Sequence, residues 1–221
     1  MLKPVADGVT LIEQRPPNPN AYLVEGVLID SATRIGRRRL LAALRGTCLN
    51  AHVLTHVHPP TQGASRAVAE AFGICVSCGA GDLEALRRGD ARPWQPRHFL
   101  NDLQKALLAG PGVPEAHELV EGDLVGGFEV LHAPGHSPGH LAFWRADDKV
   151  LVIGDVLNNA SVWTGQKGLR EPPAVFTADP ALNRKSAHRL ARLGAETVLF
   201  SHGPPLQDGG QLAEFVGRWA E

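Results

Sequence analysis

The chain has 221 residues, of which 43% are hydrophobic and 20% charged, as in a globular protein of one large domain or two small ones. This composition excludes a disordered chain, and the formal net charge of −1 argues against a nucleic-acid or anionic-membrane partner. Ten residues are histidine, the most common metal ligand, so their positions decide much of the functional interpretation.

Short β-rich runs open the chain, and strands then alternate with helices. Two runs, VTLIE and AYLVEGVLID, are predicted strands separated by the turn-forming residues PPNPN. The segment IGRRRLLAALRG places its leucines on one side and most of its arginines on the other, which predicts an amphipathic helix. The strand NAHVL, the helix ASRAVAEAFG, the strand GICVS and the helix AGDLEALRRG follow.

The second half repeats this order after a stretch rich in proline and glycine. Residues 91–114 are predicted to be an insertion that holds one short helix, FLNDLQKALLA. Four strands follow, in HELVEGDLV, FEVLHAPG, HLAFWRA and KVLVIGD, and residues 156–178 then form a long, lid-like loop. The chain closes with a helix capped by Asp179, the strand ETVLFSHG, and a final helix that buries Leu212, Phe215, Val216 and Trp219.

Two β-rich layers covered by outer helices predict an α/β protein, a four-layer αββα sandwich formed by one domain, residues 1–221. The N-terminal residues contain no long apolar segment typical of a secretory signal. No stretch approaches eighteen apolar residues, the length expected of a transmembrane helix. We therefore expect a cytoplasmic protein.

Histidine, aspartate and glycine follow four of the predicted strands. The segments are Thr55–His58, Ala133–His136, Ile153–Asp155 and Ser201–Gly203, and each comes directly after an apolar run. The ends of strands at one edge of a sandwich converge, so side chains there can share one metal ion. The predicted ligands are His56, His58, His136, Asp155 and His202.

In combination, these segments resemble the metallo-beta-lactamase superfamily. That family carries H-x-H-x-D-H, then a histidine after a Pro-Gly turn, an aspartate ending a strand, and a final histidine near a glycine. His56 and His58 match the first pair, His136 in PGHSPGH matches the third ligand, Asp155 in VIGD matches the bridging aspartate, and His202 in SHG matches the last histidine. The resemblance implies the αββα fold over about residues 8–205.

The chain departs from the family pattern in HVHPPT, where Pro60 and Thr61 replace the expected Asp and His. The resemblance implies that the three histidines of the first metal position are complete. In the second position, only Asp155 and His202 remain. We therefore expect one tightly bound ion. The missing Asp normally orients the attacking water in the family, which weakens the argument for hydrolysis.

A single ion on three histidines resembles a catalytic zinc centre with an open fourth position. Zinc lowers the pKa of its bound water to about 7 and so supplies hydroxide. Asp155 is then expected to bind the ion or the water, and His202 to polarise a carbonyl or transfer a proton. The resemblance implies a hydrolase of an ester, thioester or lactone-like bond. Four aromatic side chains lie in the two long loops, where they line an apolar pocket or simply pack beneath the loops: Trp94, Phe99, Trp163 and Phe176.

Two alternatives stay open. A protein that has lost the family's Asp and His can be a non-catalytic metal- or ligand-binding protein of the same fold. A single iron on His56, His136 and Asp155 would form a facial triad, as in mononuclear iron dioxygenases. In each case we expect a small-molecule ligand, with no nucleic-acid or membrane partner, and the oligomeric state is left open.

Overall fold

The computed structural model of the chain describes residues 2–14 and 19–219, so part of the predicted PPNPN turn lies outside the described residues. The first sheet has seven strands: β1 (Leu2–Ala6), β2 (Val9–Ile12), β3 (Ala21–Val24), β4 (Val27–Ile29), β5 (Ala51–Val53), β6 (Val76–Gly79) and β7 (His117–Leu119). These strands lie side by side in chain order. The pairs from β4 to β7 are parallel, and the earlier pairs are antiparallel.

The remaining strands are β8 (Leu124–Val125), β9 (Phe128–His132), β10 (Leu141–Arg145), β11 (Val150–Gly154), β12 (Asn158–Ala160), β13 (Lys167–Arg170) and β14 (Thr197–Phe200). The second sheet has the order β14-β11-β10-β9-β8, while β12 and β13 pair only with each other among the described strands. Among the described strand pairs of the second sheet, only β11 and β14 are parallel.

Helices supply the crossovers that parallel neighbours need. They are α1 (Arg37–Ala43), α2 (Pro59–Gln62), α3 (Ser65–Phe72), α4 (Ala80–Arg88), α5 (Phe99–Leu108), α6 (Pro180–Ala191) and α7 (Gly210–Gly217), with 3-10 turns at Arg92–Trp94 and Ala174–Phe176. Helices α1, α3 and α4 bury residues against the first sheet, and α6 and α7 bury residues against the second. The predicted four-layer sandwich is confirmed.

Strand β11 illustrates why the two sheets stack. Val150 and Val152 point into the core between the sheets, whereas Leu151 and Ile153 pack under α6 and α7. Successive side chains of a strand point to opposite faces, so a strand buried on both faces is continuously apolar. The apolar run VLVI therefore packs into the core between the sheets on one face and against the helices on the other.

Two predictions need correction. The long loop after Asp155 is not without regular structure, because it contains the β12–β13 hairpin and a 3-10 turn. Its strands are short and polar, and they pair only with each other among the described strands. Their sequences therefore show no alternation of apolar and polar residues from which strands could be predicted. The segment HELVEGDLV, predicted as one strand, forms two. Its first part, β7, pairs in the first sheet, and its last part, β8, pairs in the second. Among the described residues, no helix is both long and apolar enough to cross a membrane.

Candidate metal centre

The five predicted ligands lie at one edge of the sandwich. His56 and His58 follow β5, His136 follows β9, Asp155 follows β11 and His202 follows β14. Strands β5, β9, β11 and β14 end at this edge, so four distant parts of the sequence meet there. All five residues line one cavity of about 770 Å³.

The ligand atoms are close enough to share one ion. One nitrogen from each of His56, His58 and His136 lies within 4.8 Å of the others, and all three residues are buried. The Asp155 Oδ2 atom lies 3.8 Å from Nε2 of His56 and 3.6 Å from Nε2 of both His136 and His202. These donor atoms therefore lie within a few ångströms of one another at the base of one cavity.

A hydrogen-bonded chain orients His56. The Thr55 hydroxyl donates to the Asp30 carboxylate at 2.9 Å and lies 3.0 Å from Nδ1 of His56. Since the single hydroxyl proton goes to Asp30, we assign the proton of this contact to Nδ1 of His56. The lone pair on Nε2 then faces the other ligands, as metal-binding histidines require.

His136 is oriented in the same way. Its Nδ1 atom lies 3.2 Å from the Thr177 hydroxyl, which donates to the Pro173 carbonyl at 3.0 Å. The Nδ1 atom therefore carries the proton, and Nε2 is buried with no hydrogen-bond partner among the described residues. A buried ring nitrogen that has a free lone pair and lies close to other candidate ligand atoms fits a metal ion. Imidazole and carboxylate ligands together are typical of zinc or iron.

The electrostatics favour neutral imidazoles. Burial lowers the pKa of His58 to about 3 and that of the partly exposed His202 to about 4. Burial also holds the pKa of His56 and His136 well below its usual range, and the neighbouring imidazoles lower it further. Neutral imidazole is the form that binds metal. Burial raises the pKa of Asp155 to about 8, and a bound cation would oppose this by favouring the carboxylate.

Pro60 and Thr61 occupy the place of the family's Asp and His. Both residues line the cavity, and Thr61 is fully buried. The Thr61 carbonyl accepts hydrogen bonds from the backbone and hydroxyl of Ser31, and its side-chain hydroxyl lies 3.2 Å from Nε2 of His56. The backbone thus holds a weak oxygen donor beside the first metal position.

Sequence analysis missed a residue that ties the two ligand segments together. Asp82, in the first turn of α4, is buried and accepts hydrogen bonds from the Val57 amide at 2.9 Å, the Ser137 hydroxyl at 2.6 Å and the Gly139 amide at 2.8 Å. Val57 lies between two predicted ligands, and Ser137 follows a third. The Asp82 carboxylate therefore holds the segment that carries His56 and His58 next to the segment that carries His136.

Other residues fix the approach to His136 and His202. Gly135 has φ 134°, and a Cβ there would lie 2.2 Å from the backbone nitrogen of Asn183, so the Pro-Gly turn requires glycine. Asn20, which directly precedes β3 of the first sheet, donates through its side chain to the carbonyls of Phe200 and Gly203. These contacts hold the ends of the two sheets together around the site.

The other histidines near the site in sequence differ in position. His140 is buried, stacks on His56 with ring centroids 5.1 Å apart, and accepts a hydrogen bond from the Asp155 amide through Nε2. His132 is exposed on β9. His52, on β5, is fully buried between the Leu28 carbonyl and the Ser65 hydroxyl. A fully satisfied histidine on a strand gives no sequence signal of its burial.

Of the four aromatic residues in the two long loops, two line the cavity, Trp163 and Phe176. Trp94 packs under α4, and Phe99 is exposed on α5.

Comparison with known proteins identifies the family. The model of the metallo-beta-lactamase superfamily matches residues 15–202, and the chain belongs to this superfamily of metallo-hydrolases. The predicted family, fold and class of enzyme are therefore confirmed.

Individual relatives agree with this assignment. The chain is 28% identical to "Probable metallo-hydrolase YflN" of Bacillus subtilis, over 87% of this chain and 79% of that protein. It is 28% identical to the acyl-coenzyme A thioesterase MBLAC2 of Gallus gallus, over 72% of this chain and 66% of that enzyme. Among solved structures, TTHA1623 in a di-iron-bound form is 32% identical, with 90% of this chain and 94% of that chain covered and a TM-score of 0.69.

Proposed function

We propose that this protein hydrolyses an ester, thioester or lactone-like bond with one tightly held metal ion, and that zinc is that ion. The observation that carries the proposal is the convergence of three buried histidines within 4.8 Å, one of them with an unpartnered Nε2. The acyl-coenzyme A thioesterase among the relatives favours a thioester as the first substrate to test.

In this proposal His56, His58 and His136 hold the ion. A divalent ion supplies hydroxide at neutral pH and polarises a carbonyl. We retain Asp155 as a further ligand or as the acceptor of a proton from the attacking water, because its Oδ2 faces the same histidine nitrogens.

His202 is proposed as the group that contacts the substrate carbonyl. It is the most exposed of the four histidines, lies on the cavity and faces Asp155 at 3.6 Å. In the reaction, the water oxygen bonds to the acyl carbon and the carbon–sulfur bond breaks. One proton of the water ends on the sulfur and the other stays with the new carboxyl group, so the products are a carboxylic acid and a free thiol.

The test combines metal content with activity. Full-length protein loaded with zinc or with iron(II) is assayed for hydrolysis of acyl N-acetylcysteamine thioesters, followed by loss of thioester absorbance. His136→Gln is expected to lower both metal content and activity to background. His132→Gln, at an exposed position four residues away, serves as the control and should match wild type.

Three outcomes would overturn the proposal. Metal binding without hydrolysis of any thioester, ester or lactone would favour the non-catalytic alternative. Oxygen consumption that occurs only with iron would favour a dioxygenase. Failure to bind any metal would remove the shared site itself.

A further inference from the structure

The cavity above the candidate metal centre has one apolar wall, and we propose that this wall binds the hydrocarbon part of the substrate's acyl group. The substrate class would then be thioesters or esters of medium-length aliphatic or aromatic acids. The inference rests on the proposed function and adds to it the part of the substrate that is selected.

Trp163 and Phe176 form the centre of this wall. Trp163 sits in the β12–β13 connection with 60% of its surface exposed, and its ring centroid lies 5.5 Å from that of Phe176. Val162 and Leu108 line the same cavity. An exposed indole that faces a cavity beside reactive groups typically marks a binding site for an apolar ligand, which buries the ring on binding.

Both ends of the wall are attached to the candidate metal ligands. Asn159 in β12 donates its amide to the His202 carbonyl at 2.8 Å and its side chain to the Pro204 carbonyl at 2.9 Å. Phe176 is followed directly by Thr177, whose hydroxyl contacts Nδ1 of His136. A group that packs on Trp163 and Phe176 is therefore held at a fixed position relative to His136 and His202.

Polar residues from another part of the fold also line the cavity. They are Lys3, Glu13 and Gln14, from β1 and from the residues that follow β2. An acyl thioester has one apolar end and one polar end, with the scissile carbonyl between them. With the acyl chain on the wall and the carbonyl at the histidines, the polar thiol part is left to contact these polar residues.

The wall is held in place from below by α5. The Asn101 side chain donates to the Val175 carbonyl at 3.0 Å and to the Pro96 carbonyl at 2.7 Å. Phe176 is buried in this arrangement, while Trp163 stays exposed. Trp163 is thus the member of the wall whose replacement changes ligand contacts with the least disturbance of the core.

The first experiment measures selectivity. The zinc-loaded enzyme is assayed with N-acetylcysteamine thioesters of acetic, butyric, hexanoic and octanoic acid. In wild type kcat/KM should rise with chain length, and Trp163→Ala should lower it about tenfold for the octanoyl thioester while leaving the acetyl thioester within about twofold. Trp163→Phe, which keeps an aromatic ring, should retain most of the preference. A flat chain-length profile, or an equal loss for all substrates, would overturn the proposal.

The second experiment does not depend on catalysis. Octanamide, which has the hydrocarbon chain but no thioester, is titrated into the full-length protein and followed by tryptophan fluorescence and thermal shift. Wild type should bind it, and Trp163→Ala should raise the Kd about tenfold. Binding of this kind without hydrolysis would reject the proposed function but keep the apolar subsite. No binding, or equal binding by both proteins, would reject the subsite.

Discussion

The hydroxyl of Thr61 lies 3.2 Å from Nε2 of His56, the nitrogen that faces the other candidate ligands. Thr61 stands where the family pattern H-x-H-x-D-H has its last histidine. Thr61 offers the metal only a hydroxyl oxygen, which is a weak ligand, and Pro60 beside it offers no side-chain ligand. This relationship gives a structural reason to expect one tightly held ion.

Restoring the missing pair should create a second metal position. We expect the double variant Pro60→Asp with Thr61→His to raise metal content from one ion towards two per chain, because Asp155 and His202 already face the same space. Metal content is measured on dialysed protein after zinc loading. Thr61→Ser, which keeps only the hydroxyl, should stay at one. A double variant that also stays at one would contradict the account of the depleted position.

Removal of the Thr177 hydroxyl should weaken metal binding. Thr177→Val deprives Nδ1 of His136 of its acceptor, and the loss of such an outer partner lowers metal affinity by about 10- to 100-fold. Competition with a zinc chelator measures the Kd. Thr177→Ser should restore wild-type affinity, and an unchanged Kd in the valine variant would show that the contact does not orient the ring.

Asp82 should matter for stability as well as for metal binding. Asp82→Ala leaves the buried amides of Val57 and Gly139 without an acceptor, which we expect to cost about 3 kcal/mol in the unfolding free energy of the metal-free protein. Ser137→Ala removes one of the three bonds and should cost about 1 kcal/mol. Urea unfolding compares the two variants, and equal effects would contradict the role given to the carboxylate.

His52 should make stability depend on pH. Burial lowers the pKa of His52 to about 4, so between pH 6.5 and 4 the unfolded chain binds a proton that the folded protein does not. Stability from this residue is therefore complete above pH 6.5 and decreases as the pH falls. At pH 5 the loss is about 2 kcal/mol.

The measurement for His52 is a comparison of variants. Unfolding free energies of metal-free wild type and His52→Asn are obtained at pH 7.5 and pH 5, which cancels contributions shared by the other histidines. Wild type should lose about 2 kcal/mol more than the variant over this range. The same loss in both proteins would mean that His52 titrates normally.

Much of the fold follows from local sequence. The run Val150–Ile153 fills a core on each face of its strand, and the Asp179 side chain accepts the hydrogen bond from the Leu182 amide that a helix cap requires. The β12–β13 hairpin does not follow from local sequence, because its strands are short and polar even where they are buried, as Asn158 and Asn159 are.

Only the candidate metal ligands themselves could be predicted from the sequence. Strand ends carrying His56, His58 and His136 could be recognised from the chain itself. Asp82 and Thr177 could not, because their roles depend on which distant segments meet. Asp82 lies 25 residues from Val57 and 57 from Gly139, and nothing in the sequence around it differs from an ordinary acidic residue in a first helical turn.

The most direct test is a zinc titration of the metal-free, full-length protein, followed by calorimetry and by thioester hydrolysis at each point. We expect binding and activity both to saturate at one zinc ion per chain. Activity that appears only as a second ion binds, or a protein that binds no zinc, would contradict it.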